Sequence, residues 1–209
     1  MKNNRQRTIV QLTVFLILIV STIGMIAFTD VYSGIKSSIV DKTCLSCIGM
    51  DPVTSKIFDP LEQNSEFVIE NLSKGPVFIA YRDIVCSSCD DLEPKIKEIL
   101  DVEFGEKETY FDIINYSGSP ICFLHINLGV ENEGPLYDSF YLYDKDKRNV
   151  VPMMVMITLG KEGDSVKPHY LTAYGDKPKD FIVNDIIIPA IKNYNKYKEE
   201  YINNLNSNT

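Results

Sequence analysis

Apolar residues occur in short blocks, separated by polar segments that contain glycine or proline. The clearest block is Val77–Tyr81, which is rich in β-forming residues and predicts a buried strand. Downstream of it, Leu92, Ile96, Ile99 and Leu100 recur at helical spacing and predict a helix that buries one face. The pattern therefore predicts a strand that leads through a short polar turn into an amphipathic helix.

The same reasoning predicts the remaining elements of an α/β domain over residues 66–209. Further strands are expected at 121–128, 150–159 and 169–174, the last two as a hairpin, with helices at 67–72 and from about 181. Residues 101–119 are interpreted as a connecting segment, and residues 131–147 as an inserted loop with a short surface helix. Pro189 is expected to kink the C-terminal helix.

The first 29 residues have the pattern of a membrane anchor. Lys2, Arg5 and Arg7 precede residues 8–28, which carry no charge and are long enough to cross ~30 Å of hydrocarbon as a helix. Basic residues on this side place the N-terminus in the cytoplasm. A cleaved signal peptide is the competing interpretation, but the apolar region is long and Ile26-Ala27-Phe28 is a poor cleavage site. We therefore expect a single-pass cell-membrane protein with its domain outside the cytoplasm.

Net charge narrows the range of partners. The chain has 29 acidic and 21 basic residues, a formal net charge of −8 at pH 7. Phosphate groups would repel such a surface, so nucleic acid is not expected as a partner. Residues 30–65 are interpreted as a juxtamembrane segment that connects the anchor to the domain.

Two cysteine pairs of CxxC spacing stand out in this exported part. The second pair, Cys86 and Cys89, lies between the predicted strand and the predicted helix. Unpaired N–H groups and the dipole of the first helical turn stabilise a thiolate on Cys86. Cys89, one turn on, can attack a mixed disulfide that Cys86 forms. The spacing predicts Cys86 as nucleophile and Cys89 as resolving thiol, with no cofactor or metal; a static structural disulfide is the alternative.

The first pair, Cys44 and Cys47, is compatible with three interpretations. It forms a secondary redox pair that exchanges electrons with Cys86 and Cys89, or a purely structural disulfide. In the third interpretation it is half of a zinc site that Cys86 and Cys89 complete. The fifth cysteine, Cys122, is expected as a buried inert thiol in an apolar strand. His125 in the same strand is expected on the same face, so a Cys–His nucleophile or copper site is an alternative there.

The order strand, Cys86-Ser87-Ser88-Cys89, helix, strand, Val151-Pro152, hairpin and terminal helix resembles the thioredoxin superfamily over about residues 66–197. The resemblance implies a three-layer fold with a mixed central sheet flanked by helices. It also implies a cis peptide bond before Pro152, which would lie beside the reactive disulfide. Val151 would offer its backbone to an extended substrate peptide by strand addition.

The chain departs from thioredoxin itself near the cysteines. Val85 stands where the family has a tryptophan, and Ser87-Ser88 replaces Gly-Pro between the cysteines. The position of the usual buried acid, six residues before the first cysteine, is Ala80, although Asp83 is a nearby substitute. These differences argue against a cytoplasmic type of reductase and leave thiol–disulfide exchange intact.

The sequence thus predicts a membrane-anchored thiol–disulfide oxidoreductase. It would act on thiols and disulfides of exported proteins through a Cys86 mixed disulfide, with a membrane electron donor or acceptor as redox partner. One alternative is a redox-inactive thioredoxin-like module for binding or assembly, for example in cytochrome or metal-centre maturation. Another is a zinc or copper carrier that uses both cysteine pairs.

Overall fold

The computed structural model of the chain describes residues 43–44, 58–61, 63 and 65–207. The predicted anchor at 1–29 and most of the segment 30–65 lie outside these residues, so both remain predictions. None of the helices in the described part of the chain is long and apolar enough to span a bilayer.

The described residues contain both strands and helices. The strands are β1 Thr43–Cys44, β2 Asp59–Pro60, β3 Val77–Arg82, β4 Tyr110–Tyr116, β5 Ser119–Asn127, β6 Val150–Val151, β7 Met153–Glu162 and β8 Ser165–Tyr174. The helices are α1 Glu66–Leu72, α2 Ser87–Leu100, α3 Pro135–Tyr143, α4 Lys179–Phe181, a π-helical segment Ile182–Ile187, and α5 Ile188–Ser207.

Six of the strands form one mixed sheet in the order β2-β8-β7-β3-β5-β4. β3 and β5 are parallel, and the other neighbouring pairs are antiparallel. β1 and β6 form a separate parallel pair. The predicted α/β class is confirmed, and the sheet with its helices is compatible with a thioredoxin-like fold.

Helices cover both faces of this sheet. Side chains alternate between the two faces along each strand, so each strand contributes to two buried clusters. In β3, for example, Ile79 and Tyr81 belong to one buried cluster, and Phe78 and Ala80 to the other. The first cluster also contains buried residues of α1 and α3, and the second contains those of α2 and the π-helical segment. The C-terminal end of β3 leads directly from this packed sheet to the cysteine pair.

Strand β4 replaces part of the connecting segment that we predicted at 101–119. It forms a hairpin with β5, and Ser117 and Gly118 at the tip have φ angles of 51° and 85°. Positive φ at both central residues is the geometry of a two-residue hairpin turn. Phe111 and Ile113 lie on one face of this edge strand and are each 43% exposed, whereas Ile114 on the other face is 9% exposed. Apolar residues therefore lie on both faces, and no alternation marked the strand.

The two remaining predicted helices also differ in detail. α3 is not only a surface helix, since Phe140 and Tyr143 are fully buried.

Near the C-terminus, a π-helical segment lies just before Pro189, the residue predicted to kink the helix. In this segment Ile188 N donates to Val183 O. The proline ring crowds the carbonyl four residues earlier, and a wider π turn relieves such crowding.

Candidate functional site

The cysteine pair lies where β3 passes into α2. Cys86 and Cys89 form a disulfide with an S–S distance of 2.05 Å and a Cα–Cα distance of 5.3 Å. Cys86 is the N-cap residue of α2 in an extended conformation, and its Sγ accepts a hydrogen bond from Cys89 N at 3.2 Å. Its carbonyl oxygen accepts from the N–H groups of Cys89 and Asp90. The first sulfur therefore sits at the positive end of the helix, where a thiolate is stabilised after reduction.

Val151 and Pro152 lie at the same end of the sheet. The antiparallel β3–β7 register pairs Tyr81 with Met153, so the two residues before Met153 lie at the end of β3 from which the chain runs to Cys86. The Val151–Pro152 peptide bond is cis, as the resemblance implies, and Gly175 N donates to Pro152 O at 2.8 Å. Val151 belongs to the same buried cluster as both cysteines.

Exposed apolar side chains flank the nearly buried disulfide. Cys86 is 3% exposed and Cys89 1%. In contrast, Ile84 is 56% exposed, Val85 86% and Val130 48%. Val85 follows Ile84 in the chain, and Val130 follows Gly129, where a Cβ would lie only 2.4 Å from Ile84 Cγ1. The three exposed residues therefore lie close together and are here called the apolar rim.

A cluster of buried charged groups lies beneath the start of α2. Arg82 Nη1 donates to both carboxylate oxygens of Glu93 at 2.8 and 2.9 Å, and Arg82 Nη2 donates to Asp90 Oδ1 at 3.2 Å. His125 Nε2 lies 3.2 Å from Glu93 Oε1. Arg82 and Glu93 are each 4% exposed and His125 is fully buried. The buried charges of Arg82 and Glu93 are tolerated because each has a partner of opposite charge.

Glu93 is the buried acid that sequence reasoning did not find. Ala80 packs in the apolar cluster under α2, and Asp83 is half-buried and accepts a hydrogen bond from Ile84 N at 2.6 Å. The sequence did contain a signal for its burial. Glu93 lies four residues after Cys89 and next to Leu92, beside the helix face that was predicted to be buried.

Cys122 and His125 do not form a pair. They are three residues apart in β5, so strand alternation places them on opposite faces, and the expectation of a shared face was wrong. Cys122 Sγ donates to Asn71 O at 3.4 Å, and burial raises the pKa of this thiol to about 11. His125 instead packs against Phe104, with ring centroids 4.4 Å apart.

The first cysteine pair is only partly within the described residues. The backbone of Cys44 is paired with Val151 in the β1–β6 ladder, whereas Cys47 lies outside the described residues. Within the described part of the chain, no three His, Cys, Asp or Glu side chains are grouped so as to hold a metal ion. The zinc site that both pairs would build is not tested by this observation.

No protein-family model, curated protein or solved structure matches this chain. The function is therefore argued from the site itself. Two cysteines at disulfide distance between a strand and a helix are consistent with thiol oxidoreductase activity.

Proposed function

We propose that the chain is a thioredoxin-like thiol–disulfide oxidoreductase that uses Cys86 as nucleophile and Cys89 as resolving thiol. The observation that carries the proposal is the Cys86–Cys89 disulfide at the N-terminus of α2, with Sγ of Cys86 hydrogen-bonded to Cys89 N. A sulfur in this position is a good leaving and attacking group, because the helix start stabilises its anion.

The exchange is balanced without a cofactor. A substrate thiolate attacks Cys86 Sγ, the Cys86–Cys89 bond breaks, and Cys89 leaves as a thiolate. A second substrate thiol then attacks the substrate sulfur of the mixed disulfide and releases Cys86, so the substrate is oxidised by two electrons and the protein is reduced. The reverse sequence reduces a substrate disulfide, and a membrane electron donor or acceptor would reset the pair.

The surroundings support a protein substrate. The apolar rim of Ile84, Val85 and Val130 offers exposed hydrophobic surface next to the disulfide, and such surface is typical of protein contacts. The backbone of Val151 is paired with Cys44 in the structure, so an extended substrate chain would pair with Val151 beside Pro152 by replacing β1. With residues 1–29 as an uncleaved anchor, the substrates would be exported proteins at the outer face of the cell membrane.

A second candidate function is favoured by one observation, the low exposure of both cysteines. A disulfide that is buried on all sides serves as a structural crosslink, and the domain would then be a redox-inactive binding or assembly module. In that case Cys86→Ser would retain biological function, whereas the oxidoreductase would lose it.

Trapping of substrates tests the proposed function. In a Cys44→Ser/Cys47→Ser background, the Cys89→Ser variant of the full chain, expressed in membranes, lacks the resolving thiol, so covalent adducts through Cys86 should accumulate on non-reducing gels and disappear with dithiothreitol. The matched control is Cys86→Ser/Cys89→Ser in the same background, which should give no adducts. Equal adduct levels in the two variants, or none in either, would count against the proposal.

A further inference from the structure

The backbone edge of β6 beside the candidate site is occupied by the chain itself. β1 pairs in parallel with β6, with Thr43 opposite Val150 and Cys44 opposite Val151. Within the described residues β6 has no other strand partner, because β1 and β6 form a two-stranded sheet by themselves. A segment that precedes the main sheet in the sequence therefore makes the pairing that this edge offers.

The edge of β6 belongs to the candidate site. Val150 and Val151 are in the buried cluster that also contains Cys86 and Cys89. β6 leads directly into β7, and it lies at the end of β3 from which the chain runs to Cys86. An extended polypeptide that binds here by strand addition would use the same backbone hydrogen bonds that β1 makes.

Pro152 determines which backbone groups form the pairing. A proline has no N–H group and cannot donate to the neighbouring strand, so the pairing with Cys44 uses the N–H and C=O groups of Val151 itself. The N–H group of Val151 can donate to only one strand at a time. β1 and an extended substrate therefore exclude each other at this residue.

We propose that β1 is an internal competitor that occupies the substrate-binding edge at Val151 and so regulates access to the Cys86–Cys89 site. The inference rests on the proposed function, because it requires substrates that bind to this edge before they exchange. With β1 paired, the edge is closed to extended polypeptides, and with β1 released, it is open. Only backbone groups of β1 take part in this competition.

Attachment to the domain makes β1 an effective competitor of a particular kind. The chain continues from β1 to β2, which begins at Asp59 and pairs with β8 in the main sheet. A tethered segment competes at an effective concentration on the order of millimolar. However, β1 offers only two residues for pairing, so a longer extended segment can make more backbone hydrogen bonds and displace it. The arrangement therefore favours unfolded polypeptides over short peptides as substrates.

A single-turnover assay of the full chain tests this inference. The background is Cys44→Ser/Cys47→Ser, and the probe is a synthetic unstructured peptide with two thiols, whose oxidation reduces the Cys86–Cys89 disulfide. Thr43→Pro disfavours strand pairing, whereas Thr43→Ala keeps the backbone N–H group. We expect Thr43→Pro to lower the half-saturating peptide concentration several-fold without changing the rate at saturation, because a competitor affects binding alone. Thr43→Ala should behave like the background.

Two controls distinguish release of β1 from a loss of folding. Dithiothreitol needs no strand pairing, so it should reduce the Cys86–Cys89 disulfide at the same rate in every variant. Thr43→Gly/Cys44→Gly/Cys47→Ser weakens the strand without a proline, since glycine loses more conformational freedom on pairing. It should lower the half-saturating concentration in the same direction as Thr43→Pro, by a smaller factor.

The outcomes separate the two proposals. If Thr43→Pro and Thr43→Ala have equal half-saturating concentrations while the peptide is still oxidised through Cys86, the competition by β1 is overturned and the oxidoreductase stands. A higher half-saturating concentration in Thr43→Pro, or a parallel change in the rate with dithiothreitol, also overturns the competition. If no variant oxidises the peptide, the oxidoreductase is overturned, and the competition with it.

Discussion

Cys86 and Cys122 are both buried cysteines of one small domain, 3% and 0% exposed, yet their surroundings give them different chemistry. Cys86 begins a helix, and its sulfur accepts an N–H hydrogen bond. Cys122 lies within a strand between two neighbours, and its sulfur donates to a carbonyl oxygen. The first environment stabilises an anion, whereas the second disfavours it, and the pKa of Cys122 is accordingly raised to about 11.

The comparison shows that two cysteines of similar burial can have different hydrogen-bond environments. In a strand, the backbone N–H groups are used by the sheet ladder and none remains for a sulfur. At a helix start, the first N–H groups have no partner within the helix, so a side chain placed there can accept from them. A cysteine at a strand–helix junction therefore meets the donors that a cysteine in mid-strand lacks.

The largest expected effect comes from serine substitutions at the two sites. Cys86→Ser should reduce turnover of insulin or a model disulfide to the uncatalysed background, because it removes the sulfur that would form the mixed disulfide. Cys122→Ser keeps the donor to Asn71 O and should retain most of the activity. If the two variants lost activity equally, the contrast between the sites would be wrong.

A large effect on stability is expected from the charged cluster beneath the start of α2. Arg82→Met leaves Glu93 buried without its main partner and should lower the free energy of unfolding by about 3–5 kcal/mol, as is typical when one member of a buried ion pair is removed. Arg82→Met/Glu93→Met should recover part of this loss. Urea denaturation of both variants measures the difference, and equal stability would show that the two groups do not act as a pair.

The smallest effect is the contribution of the Cys122 thiol to the pH dependence of stability. Its folded pKa of about 11 lies above the ordinary value of 9.0, so the folded state holds the proton more firmly than the unfolded state. This contribution to stability is fully present below pH 9 and is lost as the pH rises towards about 11. Iodoacetamide should therefore label Cys122 slowly in the native protein at pH 8 and rapidly in denaturant, in a Cys44→Ser/Cys47→Ser background with the Cys86–Cys89 disulfide intact. Rapid labelling of the native protein would contradict the assigned environment.

Periodic segments of the fold could be predicted from the sequence, and non-periodic ones could not. Val77–Tyr81 and the face of α2 were found because apolar spacing reports burial directly. β4 was missed because apolar residues occupy both of its faces. A two-residue strand such as β1 has no periodicity at all, so its pairing with β6 depends on tertiary contacts that no local pattern encodes.

The candidate site was likewise predicted in part. The cysteine pair and Val151-Pro152 were identified from spacing and family resemblance, and the structure places them at one end of the sheet. The contact between Arg82 and Glu93 was not predicted, because it joins a strand end to a helix across the intervening turn. Sequence reasoning looked for the acid at a fixed family position, whereas here the helix supplies it.

Gly129 has a consequence for anyone who redesigns the specificity of this chain. Because a methyl group there would lie 2.4 Å from Ile84 Cγ1 and 2.7 Å from Asp83 Oδ1, any larger residue at 129 requires these two side chains to move. A mutant library that varies residue 129 should therefore vary residue 84 with it.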